Sequence, residues 1–422
     1  MGKRIAIIGS GISGLTCAYL LHRENEITVF ESNDYVGGHT ATKDVHIDGR
    51  DWQTDTGFIV YNDWTYPNFI KLMDQLGVRS QPTEMSFSVK NLVQNLEYNG
   101  HDLNTLFAQR RNIIRPRFIK IVRDILRFNK QCKALLESDQ DIHGVSLGDF
   151  LTQHGYSQAF ADNYILPMCA AIWSASLAQI KRFPLPFFLQ FFNNHGLLNV
   201  TDRPQWRTLI GGSRQYIAPL TKGYAERIHL NSPVTSVEPQ QQQYLVTAEG
   251  HEPSLYDEVI FACHSDQALK MLASPTQVQQ DVLGSIPYAM NEVVLHTDTR
   301  LLPERKLAWA SWNYLIKGYE GEELAPASVT YNMNILQRLD DAPVTFCVTL
   351  NNSEDIDPDK ILGKYHYAHP QFSQKMVEAQ RRRGEICGQN GLHFCGAYWY
   401  NGFHEDGVRS ALDVCNRFGR TL

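Results

Sequence analysis

Several things are scarce in these 422 residues. No Cys-x-x-Cys pair occurs, and the eight cysteines are scattered away from any His/Cys grouping at zinc-like spacing. Neither a structural metal site nor a disulfide framework is therefore expected, and free thiols in a reducing cytoplasm are. Positive charge is not in excess: 39 Lys and Arg stand against 45 Asp and Glu, a net charge of −6, which argues against a general nucleic-acid binder. There are no internal repeats, and Gln240 to Gln243, the one low-complexity patch, reads as a surface turn. Long apolar runs are missing too. Ile5 to Leu21, behind Lys3-Arg4, could pass for a signal peptide or a membrane span. Three glycines and two serines interrupt it, and it runs straight into His22-Arg23-Glu24-Asn25-Glu26, so it reads as fold and not address.

What is present is a folded globular composition, 43% apolar and 20% charged, on a chain too long for one ordinary core; two domains are expected. The first thirty-one residues organise the rest. Arg4 to Ile8 reads as a buried strand, Gly9-Ser10-Gly11-Ile12-Ser13-Gly14 follows at once, Leu15 to Arg23 has helical pattern, and Ile27 to Phe30 is a second strand ending on Glu31. This is the dinucleotide fingerprint in its proper context. Gly9 makes the tight turn, Gly11 lets backbone approach a pyrophosphate, and Gly14 lets helix and strand pack closely. The helix N-terminus offers N–H groups and partial positive charge to the phosphates. Glu31 can accept hydrogen bonds from both ribose hydroxyls and would repel a 2′-phosphate, which disfavours NADP.

The fingerprint alone does not separate FAD from NAD. Ser32 to His39 does, because Gly37-Gly38 adds a second glycine pair close to the ribose acid, and Asp55-Thr56-Gly57-Phe58 follows. On these residues the chain resembles the flavin amine oxidase superfamily: monoamine oxidases, protoporphyrinogen oxidase and phytoene-type desaturases. That family carries Gly-Gly-Arg where this chain has Gly37-Gly38-His39, so its phosphate contact is expected to be weaker or neutral here. The other end agrees. Gly391 to Gly396 reads as a strand, and Gly402 to Gly407 opens a helix through Val408, Ala411 and Val414. By resemblance, Gly396, Ala397, Glu405, Asp406 and Gly407 line the isoalloxazine. Trp206 to Leu220, with Gly211-Gly212-Ser213, returns to the cofactor domain. Ile228 to Val237 supplies Val234 to the adenine, and Glu258 to Ala262 is a further strand. His264, just past it, reads as a turn residue.

The resemblance implies an α/β fold: a Rossmann-like FAD-binding domain interleaved with an α+β substrate domain, a mixed sheet under a helical roof. The boundaries drawn are 1–84, 206–292 and 386–422 for the cofactor domain, and 85–205 and 293–385 for the substrate domain. Gln109 to Lys133 carries nine Lys/Arg against Asp124 alone, with Phe118, Val122, Ile125, Leu126 and Phe128 near helical spacing. It reads either as a helix at a membrane surface or as a solvated helix packed on the core. The aromatic stretches around Leu166 to Ser174 and Phe183 to Phe192 correspond to the tunnel roof of the family, which nominates Trp173, Phe187, Phe191 and Trp312 as substrate-tunnel residues. Trp309 to Tyr314, Ser328 to Leu336 and Val344 to Leu350 read as antiparallel strands of the flavin-facing sheet, which places the amides of Asn313, Asn332 and Asn334 near the ring. No lysine stands where amine oxidases hold water near the flavin, which counts against ordinary amine oxidation. No cysteine lies between Asn351 and Arg383, so FAD is expected to be non-covalent.

The combination YILPMCAAIWS, FFNNHGLL, AHPQF and GFHEDGVRSAL is more particular. It resembles a bacterial group of FAD-dependent amine-oxidase-like proteins associated with cyclopropane-fatty-acyl-synthase-like methyltransferases. That resemblance, over essentially the whole chain, implies a membrane-lipid acyl substrate, a methyltransferase partner and a location in the cytoplasm at the inner face of the membrane. The expected function is removal of hydride from an acyl carbon, with His404, Glu405, Asn313 and Asn332 as catalytic candidates. An amine or polyamine oxidase is the rival, and a flavin-bound protein that presents lipid without turnover is the third reading.

Overall fold

The run Arg4-Ile5-Ala6-Ile7-Ile8, apolar on both faces, lies at the middle of a parallel sheet, as such a strand must. A computed structural model describes residues 2–422. The sheet has five strands: β1 (Arg4–Ile8), β2 (Glu26–Phe30), β3 (Ile228–His229), β4 (Glu258–Phe261) and β5 (Leu392–Phe394), in the order β3-β2-β1-β4-β5. Ile8 pairs with Phe30 on one side and Phe261 on the other, and Phe261 pairs with Phe394. The carboxyl ends therefore line up, and Gly9, Glu31, Ala262 and Cys395 leave the sheet along one edge. Ligands bind outside that edge in open α/β sheets. The stretch Ile228 to Val237 is not one strand. Asn231 takes a left-handed conformation and Pro233 has no N–H to donate, so the chain breaks there. Val234–Gln240 then joins a separate three-stranded sheet.

A second sheet is mixed and has seven strands. Its order is Ile361–Pro370, Tyr288–His296, Cys347–Leu350, Val329–Asn332, Trp312–Ile316, Phe87–Asn91 and Leu96–Asn99. The expected strand at Ser328 to Leu336 stops at Asn332, whose side chain caps the short helix Met333–Leu336. Strand Tyr288–His296 runs across the boundary drawn at 292/293.

Six helices position the site: α1 (Ile12–Leu21), α2 (Pro67–Leu76), α3 (Pro116–Leu136), α4 (Leu166–Trp173), α5 (Leu185–Asn194) and α6 (His404–Cys415). Two large apolar cores result. One gathers the parallel sheet with α1 and α6, and also takes Met376 and Ala379 from helix Gln374–Arg381, which the sequence assigns to the substrate domain. The other gathers α3, α4 and α5 with the mixed sheet, and draws in Ala41 and Trp52. The basic segment 109–133 divides. Arg110–Ile114 is a 3-10 turn, and α3 starts at Pro116, where a missing N–H costs nothing. Phe118, Ile121, Phe128 and Cys132 bury the apolar face of α3 in the second core. Of the two readings of the segment, α3 takes the second: its apolar face is packed on protein and not available to lipid. No helix among the described residues is long and apolar enough to cross a membrane.

Candidate cofactor and active site

The glycine turn meets each of its geometric demands by a different means. Gly9 has φ +106°, and a Cβ there would stand 2.7 Å from the Ala262 carbonyl oxygen. A Cβ on Gly14 would fall 2.0 Å from the Gly9 carbonyl, so only glycine lets α1 sit this close to β1. A Cβ on Gly11 would meet nothing within 4 Å: that position opens onto free space outside the sheet edge. Gly38, at φ +58°, packs against Gly11, and Gly37 bridges to it. The Gly37 N–H also donates to Ser10 Oγ (3.3 Å). Glu31 is buried and accepts from Ser10 N (2.9 Å), Ser10 Oγ (2.6 Å), Asn33 N (2.9 Å) and Asn33 Nδ2 (2.8 Å). These four donors fill the usual capacity of a carboxylate, so a ribose hydroxyl must displace a side-chain donor. Ser32 lies alongside, its hydroxyl 3.4 Å from Glu31. The Ser232 N–H donates to the Glu31 carbonyl, which brings Val234 to the same corner.

The far end of the chain reaches this turn. Gly407 has no room for a Cβ, which would stand 2.7 Å from Ile12 Cγ2, and its carbonyl accepts from Ser13 Oγ at 3.0 Å. The N-termini of α1 and α6 therefore lie side by side. Gly396, leaving β5, donates its N–H to Ser410 Oγ (2.8 Å), and Ala397 opens the 3-10 turn that leads on. From the first segment, Thr56 bonds the Ala41 carbonyl and the Tyr367 hydroxyl (2.9 Å), Gly57 packs against the His39 carbonyl, and the Phe58 N–H donates to that carbonyl. His404 stacks flat on Phe58, with centroids 3.7 Å apart and planes at 6°. Its Nε2 lies 3.0 Å from the Tyr216 hydroxyl and 3.2 Å from Thr40 Oγ1, and Thr40 and Tyr216 also bond each other. Three remote stretches are thus tied at one knot. Tyr216→Phe should lower stability by about 1–2 kcal/mol, read as a lower denaturant midpoint at unchanged slope.

Histidines gather where the two sheets meet. His39 lies 5.6 Å from His369 and 6.0 Å from His264, ring to ring, with Tyr367 at 5.3 Å. Burial lowers all three, His264 to about 4 and His369 to about 3, and repulsion from the neighbouring rings adds to it for His264 and His369. They are neutral at pH 7. His369 Nδ1 sits 3.2 Å from Asn291 Nδ2 and from Ser174 Oγ. His39 Nε2 is buried beside the second glycine pair without any partner, a group prepared for a ligand oxygen. Orphaned nitrogen, open Gly11 cradle and paired helix N-termini together fit the pyrophosphate and ribityl part of FAD.

Each of the catalytic candidates commits side-chain atoms to holding the fold. Asn313 uses its whole amide inside the sheet: it accepts from Ser88 Oγ and Ala310 N and donates to the Ala310 and Thr330 carbonyls. Asn332 is the helix cap noted above. Glu405 caps α2 instead, accepting from Asn68 N, Asn68 Nδ2 and Phe69 N (2.8 Å). Asp406 accepts the Phe403 N–H (2.9 Å), and burial lifts its carboxyl to about 7. His404 is engaged in the knot, and burial first, then His39, holds it neutral, at about 3.

The roof is aromatic. Trp173 packs on Phe183 (4.6 Å) and Phe191 (4.7 Å). Phe187 stacks on Phe372 (5.0 Å) and Phe191 on Phe403 (5.4 Å), joining α5 to the cofactor side. Trp312 stands on the mixed sheet, edge-on to Tyr331. Phe372 and Phe403 were not singled out by sequence, although Phe403 directly precedes His404 in the carboxy-terminal turn and Phe372 closes the AHPQF stretch. Beside this roof a cavity of about 380 Å³ is lined by Trp64, Tyr66, His195, Phe403, Glu405, Asp406 and Arg409.

Known proteins share this plan. The family model described as "Flavin containing amine oxidoreductase" matches residues 12–342. The flavin-containing amine oxidase A of Canis lupus familiaris is 23% identical over 264 residues, 59% of this chain and 47% of that one. The chain thus spans about half the length of that relative. Among solved structures, cyclohexylamine oxidase from Brevibacterium oxydans IH-35A superposes with TM-score 0.68 at 14% identity over 100% of both chains. A CLA-producing fatty acid isomerase from P. acnes gives TM-score 0.68 at 14% identity over 99% of this chain and 98% of the other. At such identities the structures speak for the fold alone.

Proposed function

Since the chain belongs to the flavin-containing amine oxidoreductases, we propose that it is an FAD-dependent oxidoreductase that takes hydride from a carbon of a hydrophobic substrate. FAD, held without a covalent bond, supplies the two-electron acceptor. The residues around it bind, orient and exclude water. Ser10, Gly11, Glu31 and the N-terminus of α1 would hold the adenine nucleotide half. His39 would offer an uncharged hydrogen bond where the family has a cation. The N-terminus of α6 would place partial positive charge at the other end. The observation that carries the reading is the contact of the two helix N-termini, Ser13 Oγ on Gly407 O, under the stacked phenylalanines. The division into a discontinuous cofactor domain (1–84, 206–292, 386–422) and a substrate domain is part of the same proposal.

Two substrate classes compete. The relatives' names favour an amine, and the cavity lined by Glu405 and Asp406 adds to that reading. The roof favours a long acyl chain, because its packed faces are Trp173 and five phenylalanines. On the comparisons alone the amine is the better supported. Anaerobic mixing decides between them: bleaching of the bound flavin by phospholipid or fatty acid supports the chain, and bleaching by alkyl amines or diamines supports the amine. No bleaching by either overturns both and leaves the non-catalytic protein that hands lipid to a methyltransferase. The acyl reading carries with it a location at the cytoplasmic face of a membrane.

A further inference from the structure

We propose that the protein docks on anionic phospholipid bilayers through a knuckle built from the hairpin tip Leu92–Asn95, the turn Leu103–Phe107 and the 3-10 turn Arg110–Ile114. The three pieces are fastened together. The Asn95 carbonyl accepts from Arg111 NH2 (2.7 Å), Arg115 NH1 (3.2 Å) and Gln109 Nε2 (3.1 Å). Arg110 NH1 donates to the carbonyls of Asn104 (3.2 Å) and Phe107 (3.1 Å), and its NH2 to Asn104 Oδ1 (2.7 Å). On this rigid base the large aliphatic side chains point outward: Val93 is 67% exposed, Leu103 75% and Ile114 83%, with Leu92 and Ile113 beyond half.

The charge around them is mainly positive: the one exposed acid, Asp102, is taken up in capping the Leu103 turn, where its Oδ1 accepts the Thr105 N–H (2.8 Å). Arg110, Arg111, Arg115 and Arg117 have no carboxylate within 4.0 Å among the described residues. Asp124, the one acid of the segment, is buried and shared by Lys120 and Arg127 on α3. In a chain of net charge −6 such a concentration of unpaired guanidinium groups is local and deliberate. Aliphatic and cationic residues alternate within one or two positions (Arg111, Ile113, Ile114, Arg115), so both reach the same depth. The boundary between acidic headgroups and acyl chains satisfies both at once. An acidic protein surface would answer the charges and leave the isoleucines wet. The helix α3 then lies behind the knuckle with its apolar face already buried, adding Lys120, Arg123, Lys130 and Lys133 as exposed cations. The surface serves the acyl-chain reading of the substrate and rests on that reading for its purpose.

The test is flotation of the FAD-loaded protein with vesicles of phosphatidylcholine, alone or with about one-third phosphatidylglycerol. Binding is expected to the mixed vesicles only, and to fall as salt is raised. Arg111→Gln with Arg117→Gln should weaken the partition at least about tenfold, since each basic residue near the surface is worth roughly fivefold. Separately, Ile113→Asn with Ile114→Asn should weaken it at least about tenfold, since the apolar area they bury in the bilayer is lost. Both variants should keep their flavin content. Equal binding to neutral vesicles, no binding to either, or binding unchanged in both variants overturns the proposal. The readout involves no turnover. Failed docking with acyl substrate still bleaching the flavin in detergent sinks the surface and spares the substrate reading, and docking without bleaching does the reverse.

Discussion

A Gly11→Val protein should fold, remain monodisperse and come off the column colourless. The backbone at Gly11 has φ −67° and ψ 176°, which any residue adopts. No protein atom lies within 4 Å of the position a Cβ would take. Nothing in the apo fold therefore resists the substitution, and the melting temperature without flavin should not move. A valine there fills the space into which the Ser10 to Ile12 backbone faces, and it keeps a pyrophosphate from the N–H groups of α1. We expect the FAD dissociation constant to rise at least about a hundredfold, close to 2.7 kcal/mol. Gly14→Ala is the contrasting case. Its methyl group would stand 2.0 Å from a backbone oxygen on one side and 3.1 Å from the Ala262 methyl on the other, so α1 must back away from β1. Overpacking against backbone costs about 3 kcal/mol or more, visible as poor soluble yield and a lower melting temperature even without flavin. A yellow Gly11→Val protein would remove the cradle from the account, and a fully stable Gly14→Ala protein would remove the close packing of helix and strand.

What could be read from sequence followed the range of the interactions. The strand, turn, helix and acid of residues 4–31 are local, each residue type demanded by its own backbone, and the fold places them as the pattern requires. The remote pieces at Ser213, Val234, Ala262 and Gly407 could be placed only by resemblance, because nothing local says which stretch they will touch. Asp55 shows the limit. Its carboxylate accepts from Ser213 N and Oγ and from Gln337 Nε2, residues 158 and 282 positions away, and no spacing rule predicts that. The same holds for side chains whose type suggests chemistry and whose surroundings use it up. Asn313 looked like an amide for the ring and is a four-bonded strut in the sheet. Glu405 and His404 stood among the catalytic candidates; the one caps a helix and the other ties a knot. Periodicity marked 109–133 as amphipathic, where the helix runs over Pro116–Leu136, but it cannot say whether the apolar face meets protein or lipid. The aliphatic residues that do face outward, Ile113 and Ile114, sit just ahead of that helix.

Acid should destabilise this protein well before its ordinary carboxylates titrate. Burial holds His195, His264 and His296 at about 4, and His369 and His404 at about 3, against an ordinary 6.5. Below about pH 6.5 the unfolded chain takes protons on these imidazoles while the folded chain refuses them. The stability they carry is therefore whole above that pH and drains away as the pH falls towards the folded values. Carboxyls raised by burial work the other way, Asp162 and Glu405 among them. Burial raises Asp55 to about 6 and Asp406 to about 7, so the folded chain keeps protons that the unfolded chain has shed above about 4. As pH falls through 7 and 6, those two give stability back. Each group is worth about 1.4 kcal/mol per pH unit between its two values. Five histidines outweigh these carboxyls, even after discounting His264, His369 and His404, which keep some contact with water. From about pH 7 to about pH 5.5 the net loss should be on the order of 3 kcal/mol, measured as the shift in urea midpoint of the flavin-free protein. Asp406→Asn removes the larger of the opposing contributions, so that variant should be more stable at neutral pH and fall more steeply in acid. A midpoint that holds steady or climbs on acidification would mean that the histidines titrate normally, and that the sheet junction where His264 and His369 meet His39 is open to water.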